Sequence, residues 1–413
     1  MNIFALIVFV ALTGEYIISL ITDLLNLSTL RDPLPAEFEG ITGTDAYQKS
    51  QAYTRTTTIF GVITSSVDLV VILSFWFFGG FNWLDNLVRQ WGLASVWTGD
   101  CYIAILLILR SLLSLPFSIY STFVIEERFG FNKTSVKTFI LDILKSAVLA
   151  IVIGGPILTA ILAFFIFAGT FAWLYCWIAT TAVMLVLQFI APTWIMPLFN
   201  KFTPLEAGDL RESIFSYAKS VNFTLENIFI MDGSKRSEKS NAFFTGFGKN
   251  KRIALFDTLI KNHSTNELVA VLAHEIGHYK KKHIITGMLI SILHIGVMFY
   301  LLSFFLSRKE LFDAFLMDHI SVYAGIIFFG LLFTPLEFVL SLALNFLSRK
   351  HEFEADRWSA DTTLHPDELV SALKKLSVHN LSHLTPHPLY VFFHYSHPPV
   401  LQRIRRLHQP QQD

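Results

Sequence analysis

The sequence predicts a predominantly α-helical polytopic membrane protein with a small α+β unit at the membrane surface. Of its 413 residues, 53% are hydrophobic, only 15% are charged and 40 are Phe, and the mean hydropathy is +0.51. A soluble chain of this length needs more charged residues to cover its surface. The formal net charge is +0, and no long basic stripe is present, so the composition argues against a nucleic-acid partner.

Seven apolar runs are long enough to cross a bilayer, which takes roughly 20 helical residues. The fourth and fifth are joined only by Ala168-Gly169-Thr170, which predicts a tight helical hairpin. The first run lacks the Lys and Arg that begin a signal peptide, so we expect it to be retained as a span. The predicted spans lie near Ile3–Leu25, Thr57–Gly79, Tyr102–Ser121, Phe139–Phe167, Phe171–Trp194, Ile284–Ser307 and Val322–Phe346.

The distribution of Lys and Arg between the loops predicts the orientation of the spans. The first and third loops, the segment after the fifth span and the C-terminal tail are rich in these residues. Loops with an excess of positive charge stay in the cytoplasm. We therefore expect these segments to be cytoplasmic and the N-terminus to lie outside.

Several ionisable residues lie within or close to the apolar runs, where they are costly in lipid. One interpretation is pairing between helices, for example of Asp68 with Arg110. The other is a hydrated interior that a polar substrate reaches. The sequence leaves both open for the set Glu15, Asp68, Arg110, Asp142, Lys145 and Glu337.

These patterns divide the chain into four parts. Residues 1–195 hold five transmembrane helices with cytoplasmic loops, and residues 284–347 hold helices six and seven. Residues 196–283 form a cytoplasmic α+β segment, and residues 348–413 a cytoplasmic C-terminal segment. Within 196–283 the composition predicts a helix at Arg211–Lys219 and short strands at Asn227–Met231, Ala242–Phe247 and Ile253–Phe256. A strand before the helix that follows could pair with an extended substrate.

That helix carries the sequence His274-Glu275-Ile276-Gly277-His278. Residues four apart share one helical face, so both imidazoles can reach one metal ion. Glu275 lies beside them as a candidate general base that activates a water molecule. The alternative is a surface helix with two solvated histidines.

A third ligand must come from the same side of the membrane, because zinc hydrolases use three protein ligands and leave one position open. The chain returns there at a charged helix, residues 348–357, directly after the seventh span. Glu352 and Asp356 share a face of this helix, so one can bind the metal while the other orients a histidine. The rival ligands are His283, which we expect on a different helical face from the pair, and His351 and Glu354, which point away from the Glu352/Asp356 face.

The chain resembles a type I CAAX prenyl protease, an integral-membrane zinc metallopeptidase of the gluzincin kind. The resemblance covers nearly the whole chain. Beyond His274–His278 and Glu352–Asp356, it rests on Leu115–Phe117, Thr122–Thr134, Pro197–Leu205, Ser240–Phe247 and Tyr395–Pro399. Several motifs in this order are far more specific than the five-residue pattern alone.

The resemblance implies seven transmembrane helices around a hydrated chamber, with Zn²⁺ facing into it. It selects Glu352 as the third ligand and Asp356 as a partner behind the ligands. It also implies that Asn241, Ala242 and Phe243 border the substrate. His397 and Arg403 are then expected to stabilise the oxyanion, because a donor or cation near developing negative charge lowers the barrier.

The expected function is zinc-dependent hydrolysis of peptide bonds in a membrane. The expected substrate is a peptide or protein, and C-terminally lipidated chains are one class of it. One alternative is a heat-shock-type metalloprotease for membrane protein quality control. Another is a non-catalytic scaffold or transporter, against which the intact Glu275 argues.

Two departures from eukaryotic members bear on localisation. Little soluble chain separates spans six and seven, and the tail Gln411-Gln412-Asp413 carries no retrieval signal for the endoplasmic reticulum. We therefore expect a bacterial inner-membrane protein, or one of the endoplasmic reticulum membrane if the source is eukaryotic. Bacteria generally lack protein prenylation, which argues against a prenylated substrate.

Overall fold

The computed structural model describes residues 2–225, 227–245 and 252–409, and these are mostly helical with one four-stranded sheet. The α-helices are α1 Ile3–Ser28, α2 Thr44–Phe77, α3 Gly80–Arg89, α4 Ser95–Tyr120, α5 Glu127–Phe129, α6 Val136–Leu149, α7 Gly155–Phe167, α8 Ala172–Ile190, α9 Met196–Phe199, α10 Asp209–Ser220, α11 Asp257–Asn262, α12 Thr265–Lys280, α13 His283–Phe305, α14 Lys309–Ala314, α15 Val322–Thr363, α16 Pro366–His379, α17 Pro388–His394 and α18 Val400–Leu407. Short π-helical segments at Ser121–Glu126, Ala150–Gly154 and Ala191–Ile195 join α4 to α5, α6 to α7 and α8 to α9.

Seven helices among the described residues are long and apolar enough to cross a membrane, which confirms the predicted number. The hairpin between the fourth and fifth is also as short as predicted, since a single 3₁₀ turn, Gly169–Phe171, separates α7 from α8. The spans are Ile3–Arg31, Thr44–Phe77, Ser95–Phe129, Val136–Phe167, Gly169–Phe199, His283–Phe305 and Val322–Thr363.

The seventh span extends far beyond its apolar part. The sequence predicts a span ending near Phe346 and then a charged helix, but α15 is one continuous helix of 42 residues. At a rise of 1.5 Å per residue it is about 63 Å long, twice the thickness of the hydrocarbon core. The charged segment with Glu352 is therefore held rigidly by a transmembrane helix.

Of the two interpretations left open for the charged residues in the spans, pairing between helices is found for Asp68 and Arg110. Arg110 Nη2 lies 3.8 Å from Asp68 Oδ2, and the two side chains are 75% and 57% exposed. A second pair, His294 with Glu337 at 2.9 Å, joins α13 to α15.

The sheet lies in the segment that precedes the motif helix α12. Its strands are β1 Phe202–Pro204, β2 Asn227–Met231, β3 Ala242–Thr245 and β4 Arg252–Phe256, in the order β1-β2-β4-β3. β2 and β4 are parallel, and β1 and β3 pair antiparallel to them at the two edges. β2 has its predicted bounds, whereas Phe247 of the predicted Ala242–Phe247 strand lies outside the described residues. Strand β1 was not predicted from the sequence, because it is only three residues long and ends in Pro.

Helix α12 is fixed by apolar contacts with the sheet and by its N-terminal cap. Ile276 and Leu272 are fully buried in a core with Ile253 and Leu255 of β4 and Ile214 of α10. Ser264 caps the helix, and the Glu267 side chain returns to the Ser264 N–H at 2.8 Å. Such a capping box satisfies free N–H groups of the first turn, so α12 is anchored before its motif residues begin.

Helix α12 also packs closely on α15, and Gly277 permits the contact. A Cβ placed on Gly277 would lie 3.1 Å from Trp358 Cβ and 3.2 Å from Ala355 Cα. The Ser359 hydroxyl donates to the Ala270 carbonyl at 2.8 Å across the same contact. The close approach brings the charged segment of α15 next to the motif histidines.

Candidate metal centre

Three side chains from α12 and α15 meet where the two helices pack. His274 Nε2 and His278 Nε2 are 3.1 Å apart. Glu352 Oε2 lies 3.6 Å from His274 Nε2, and Glu352 Oε1 lies 3.3 Å from His278 Nε2. His274 and Glu352 are buried and His278 is partly exposed. The structure thus brings together the three residues named above as metal ligands.

The donor set and its dimensions suit zinc. Two imidazole nitrogens and one carboxylate oxygen are a common catalytic zinc set, with bonds of about 2.0–2.2 Å. In a tetrahedral arrangement, bonds of that length place ligand atoms about 3.4 Å apart, and the three observed separations lie close to this value. Among the described residues this is also the one group of three or more His, Cys, Asp or Glu side chains with such spacing.

Asp356 lies behind His274, one helical turn after Glu352. His274 Nδ1 is 2.9 Å from Asp356 Oδ1. Burial lowers the pKa of His274, but the hydrogen bond and negative charge of Asp356 outweigh it and raise the pKa overall. Because the Asp356 contact uses Nδ1, the Nε2 atom of His274 is left to face the other ligands.

Arg403 of α18 contacts the two carboxylates of α15 that lie next to His274. Its Nε donates to Asp356 Oδ2 at 2.8 Å, and Nη1 lies 3.5 Å from Glu352 Oε2. The side chain is only 12% exposed. The guanidinium therefore binds both Glu352 and Asp356 of α15. Helical spacing does not predict this contact, because it requires α18 to fold back on α15.

Glu275 lies between the two histidines in sequence and beside β3 in space. Burial raises the pKa of its carboxyl overall, although the neighbouring histidines and a hydrogen bond from the Phe244 backbone act to lower it. The contact with Phe244 puts the carboxylate next to the edge strand. A carboxyl whose pKa lies above its usual range is suited to take up a proton near neutral pH.

The predicted substrate-bordering residues lie along this edge. Ala242 and Phe243 begin β3, and Asn241 immediately precedes it, with an exposed side chain. The Asn241 carbonyl accepts from the Phe256 N–H at 3.1 Å. One side of β3 pairs with β4, and no strand among the described residues pairs with its other side.

His397 lies at the mouth of the cluster. Its Nε2 is 3.4 Å from Glu352 Oε1, and its side chain is 67% exposed. The Ser396 hydroxyl is 3.0 Å from Nδ1, which orients the ring. A cavity of about 370 Å³ adjoins this point and is lined by His397, Arg403, Tyr395 and residues of α16 and the segment after it.

His283 does not lie where a continuous helix would place it. Helix α12 ends at Lys280, and Lys282 adopts a left-handed conformation with φ of 61° before α13 begins. The expectation that His283 faces away from the pair is therefore wrong, because its ring returns to His278. The run Lys280-Lys281-Lys282 was the available signal, since basic residues mark helix C-termini.

The remaining rival ligands, Glu354 and His351, contact His283 and not the three clustered side chains. His283 Nε2 lies 3.0 Å from Glu354 Oε2. The His351 ring stacks on the His283 ring with 3.9 Å between centroids. Neither Glu354 nor His351 belongs to the three-residue group.

Known protein families match both the membrane helices and the segment that holds the metal cluster. Residues 23–201 match the family described as "CAAX prenyl protease N-terminal, five membrane helices", and residues 204–411 match "Peptidase family M48". CAAX prenyl protease 1 of Saccharomyces cerevisiae is 38% identical over 91% of this chain and 88% of its own length. A CAAX prenyl protease 1 homolog of Arabidopsis thaliana is 37% identical over 95% and 94%.

The fold is similar to a solved structure over its whole length. The crystal structure of S. mikatae Ste24p superimposes with a TM-score of 0.93, at 34% sequence identity, over 99% of this chain and 100% of that chain. The agreement includes both the membrane helices and the part with the metal cluster.

Proposed function

Because the chain belongs to the CAAX prenyl proteases of peptidase family M48 and is a zinc-dependent integral-membrane endopeptidase, we propose that it cleaves extended peptides held along β3. The observation that carries this proposal is the position of Glu275, which lies beside the His274, His278 and Glu352 cluster and also contacts the backbone of edge strand β3. A peptide added to the edge of β3 would pass the three ligands and the general base.

We propose a role for each residue from its position. His274, His278 and Glu352 would hold Zn²⁺, which would supply a Lewis acid to polarise the scissile carbonyl and lower the pKa of water. Glu275 takes the proton from the attacking water and passes it to the leaving amine. Asp356 and Arg403 hold His274 and Glu352 in place through the contacts described above.

His397 is the group best placed to stabilise the oxyanion. Its exposed imidazole reaches past Glu352 while Ser396 fixes its other nitrogen. Arg403 adds positive charge from behind the same carboxylate. A single such donor contributes roughly 10²–10³-fold to kcat in other hydrolases.

For the substrate we propose a peptide or protein with a lipid-modified C-terminal region. The relatives are called CAAX prenyl proteases, and the cluster lies at the end of a span where an apolar chain can stay in the bilayer. The test is cleavage by purified protein, with and without chelator, of a farnesylated CAAX peptide, the same peptide without the lipid, and a misfolded membrane protein.

Each outcome of that assay has a meaning. Faster cleavage of the farnesylated peptide supports the proposal. Equal cleavage of both peptides would show that the enzyme does not recognise the lipid. Faster cleavage of the misfolded protein would support the alternative function in membrane protein quality control. Failure to cleave any of them would contradict the peptidase function.

We further propose that the zinc site faces the cytoplasm, as the charge distribution predicts. For the membrane we keep both predictions: the endoplasmic reticulum membrane for a eukaryotic source, or the bacterial inner membrane, where the lipid on the substrate would not be a prenyl group. The test labels Lys261→Cys in a Cys101→Ser/Cys176→Ser background with an impermeant maleimide. In intact bacterial cells the reagent should label a cysteine introduced as Arg308→Cys and not this one, whereas in sealed microsomes with their cytoplasmic face outward it should label this one and not Arg308→Cys. The reverse pattern would overturn the orientation.

A further inference from the structure

Behind His278 lies a chain of contacts that none of the roles above uses. His278 Nδ1 is 3.0 Å from His283 Nδ1, and His283 Nε2 is 3.0 Å from Glu354 Oε2. His283 is buried and its side chain is 7% exposed. We propose that His283 and Glu354 are positioning residues that fix the ring of His278 for zinc binding, an inference that rests on the ligand roles proposed above.

The hydrogen bonds in this chain have one consistent direction. When His278 presents Nε2 to the metal, its Nδ1 carries a proton and can only donate. His283 Nδ1 must then accept, so the neutral His283 ring carries its proton on Nε2. That proton is donated to Glu354, whose carboxylate only accepts.

The Nδ1 atom of each metal-binding histidine is thereby connected to a carboxylate, directly for one and through a second imidazole for the other. His274 reaches Asp356 directly, at 2.9 Å. His278 reaches Glu354 through the intervening imidazole of His283. Such outer contacts fix the orientation of a ligand ring, and their loss typically weakens metal binding about 10- to 100-fold.

The break between α12 and α13 makes the contact geometrically possible. Lys282, with φ of 61°, starts α13 in a new direction, so His283 lies back against His278 and not on the far side of a continued helix. On the other side of His283, the flat stack of His351 limits rotation of the ring.

The chain offers a matched pair of variants. His283→Phe keeps an aromatic ring but removes both nitrogens from the contact chain. His351→Phe keeps the stacked ring and removes nitrogens that do not belong to the chain. If hydrogen bonding positions His278, the first change should raise the zinc Kd about 10- to 100-fold and the second should leave it near the wild-type value.

The Kd is measured by competition with a chromophoric chelator on the purified full-length protein, and thermal unfolding of the metal-free protein checks that each variant folds. His283→Asn, whose amide oxygen can accept from His278, should recover part of the affinity. Glu354→Ala should weaken binding, and Glu354→Gln, which keeps an acceptor oxygen, should weaken it less.

Two results would overturn the inference. One is wild-type zinc affinity in a folded His283→Phe protein, and the other is an equal loss in His283→Phe and His351→Phe, which would indicate ring packing alone. The variant His278→Ala separates an error in the positioning role of His283 from an error in the ligand assignment. If that variant also keeps wild-type affinity, the ligand assignment itself is wrong.

Discussion

Asp356 connects His274 to Arg403. Its Oδ1 lies 2.9 Å from His274 Nδ1, and its Oδ2 accepts from Arg403 Nε at 2.8 Å. The carboxylate is buried, so its charge is balanced by these two partners and not by water. This pairing joins three helices, α12, α15 and α18, behind the metal cluster.

We expect Asp356→Asn to weaken zinc binding about 10- to 100-fold, because the substitution keeps the shape but removes the charge that orients His274 and engages Arg403. Chelator competition measures the loss. Asp367→Asn is the control, since Asp367 is exposed and pairs only weakly with His408 at 3.4 Å. Equal affinities in both variants would contradict the role of Asp356.

Glu275→Gln should retain stoichiometric zinc and lose peptide cleavage by about 10²–10⁴-fold in kcat, the usual contribution of a general acid-base group. The amide fits the same space but cannot take the proton from water. Metal analysis and cleavage rates on one preparation check both halves. Substantial activity in a zinc-loaded variant would remove Glu275 from the mechanism.

Glu352→Ala should abolish stoichiometric zinc binding, because two histidines alone leave the site one ligand short. The control is Asp361→Ala on the same helix, whose exposed carboxylate pairs with Arg357 at 2.9 Å. It should keep full zinc content. Retention of zinc by a folded Glu352→Ala protein would require a different third ligand.

Substrate pairing with β3 predicts that main-chain hydrogen bonds contribute to KM. Peptides with N-methyl groups at alternate positions should show raised KM only where the methylated nitrogen faces β3, since a methyl group removes the donor. The same peptides methylated one residue along serve as controls. Asn241→Ala should also raise KM more than it lowers kcat. Insensitivity of KM to every methylation would argue against strand pairing.

Stability at low pH should depend on Glu267. Burial raises the pKa of this carboxyl, but hydrogen bonds from Lys375, Ser371 and the Ser264 backbone outweigh it, so the pKa lies below its usual value of 4.5. A carboxyl with a lowered pKa stabilises the folded state above that usual value, and the contribution is lost as pH falls through the folded pKa.

We therefore expect Glu267→Gln to lower stability by about 1–3 kcal/mol at pH 7, the cost of leaving buried polar partners unsatisfied. The difference from wild type should shrink as the pH falls below 4.5 and through the lowered pKa of the folded state, because the wild-type carboxyl then also becomes neutral. Thermal unfolding in detergent between pH 3 and 7 measures this. A difference that is constant across that range would exclude the charge of Glu267 as its cause.

The sequence by itself determined the parts of this protein that depend on local patterns. The number of spans follows from apolar runs, because a bilayer demands about 20 apolar helical residues. The two histidines of the metal cluster follow from helical spacing, because residues four apart share a face in any helix. The resemblance then chose Glu352 among the carboxylates of its helix.

Only the tertiary structure decided the contacts that depend on where one helix ends and another returns. Spacing alone places His283 away from His278, yet the left-handed turn at Lys282 brings the two rings within 3.0 Å. In the same way Arg403 meets Asp356 although the two are far apart in sequence. Periodicity describes one helix at a time, whereas these relationships depend on the packing of α12, α15 and α18 against each other.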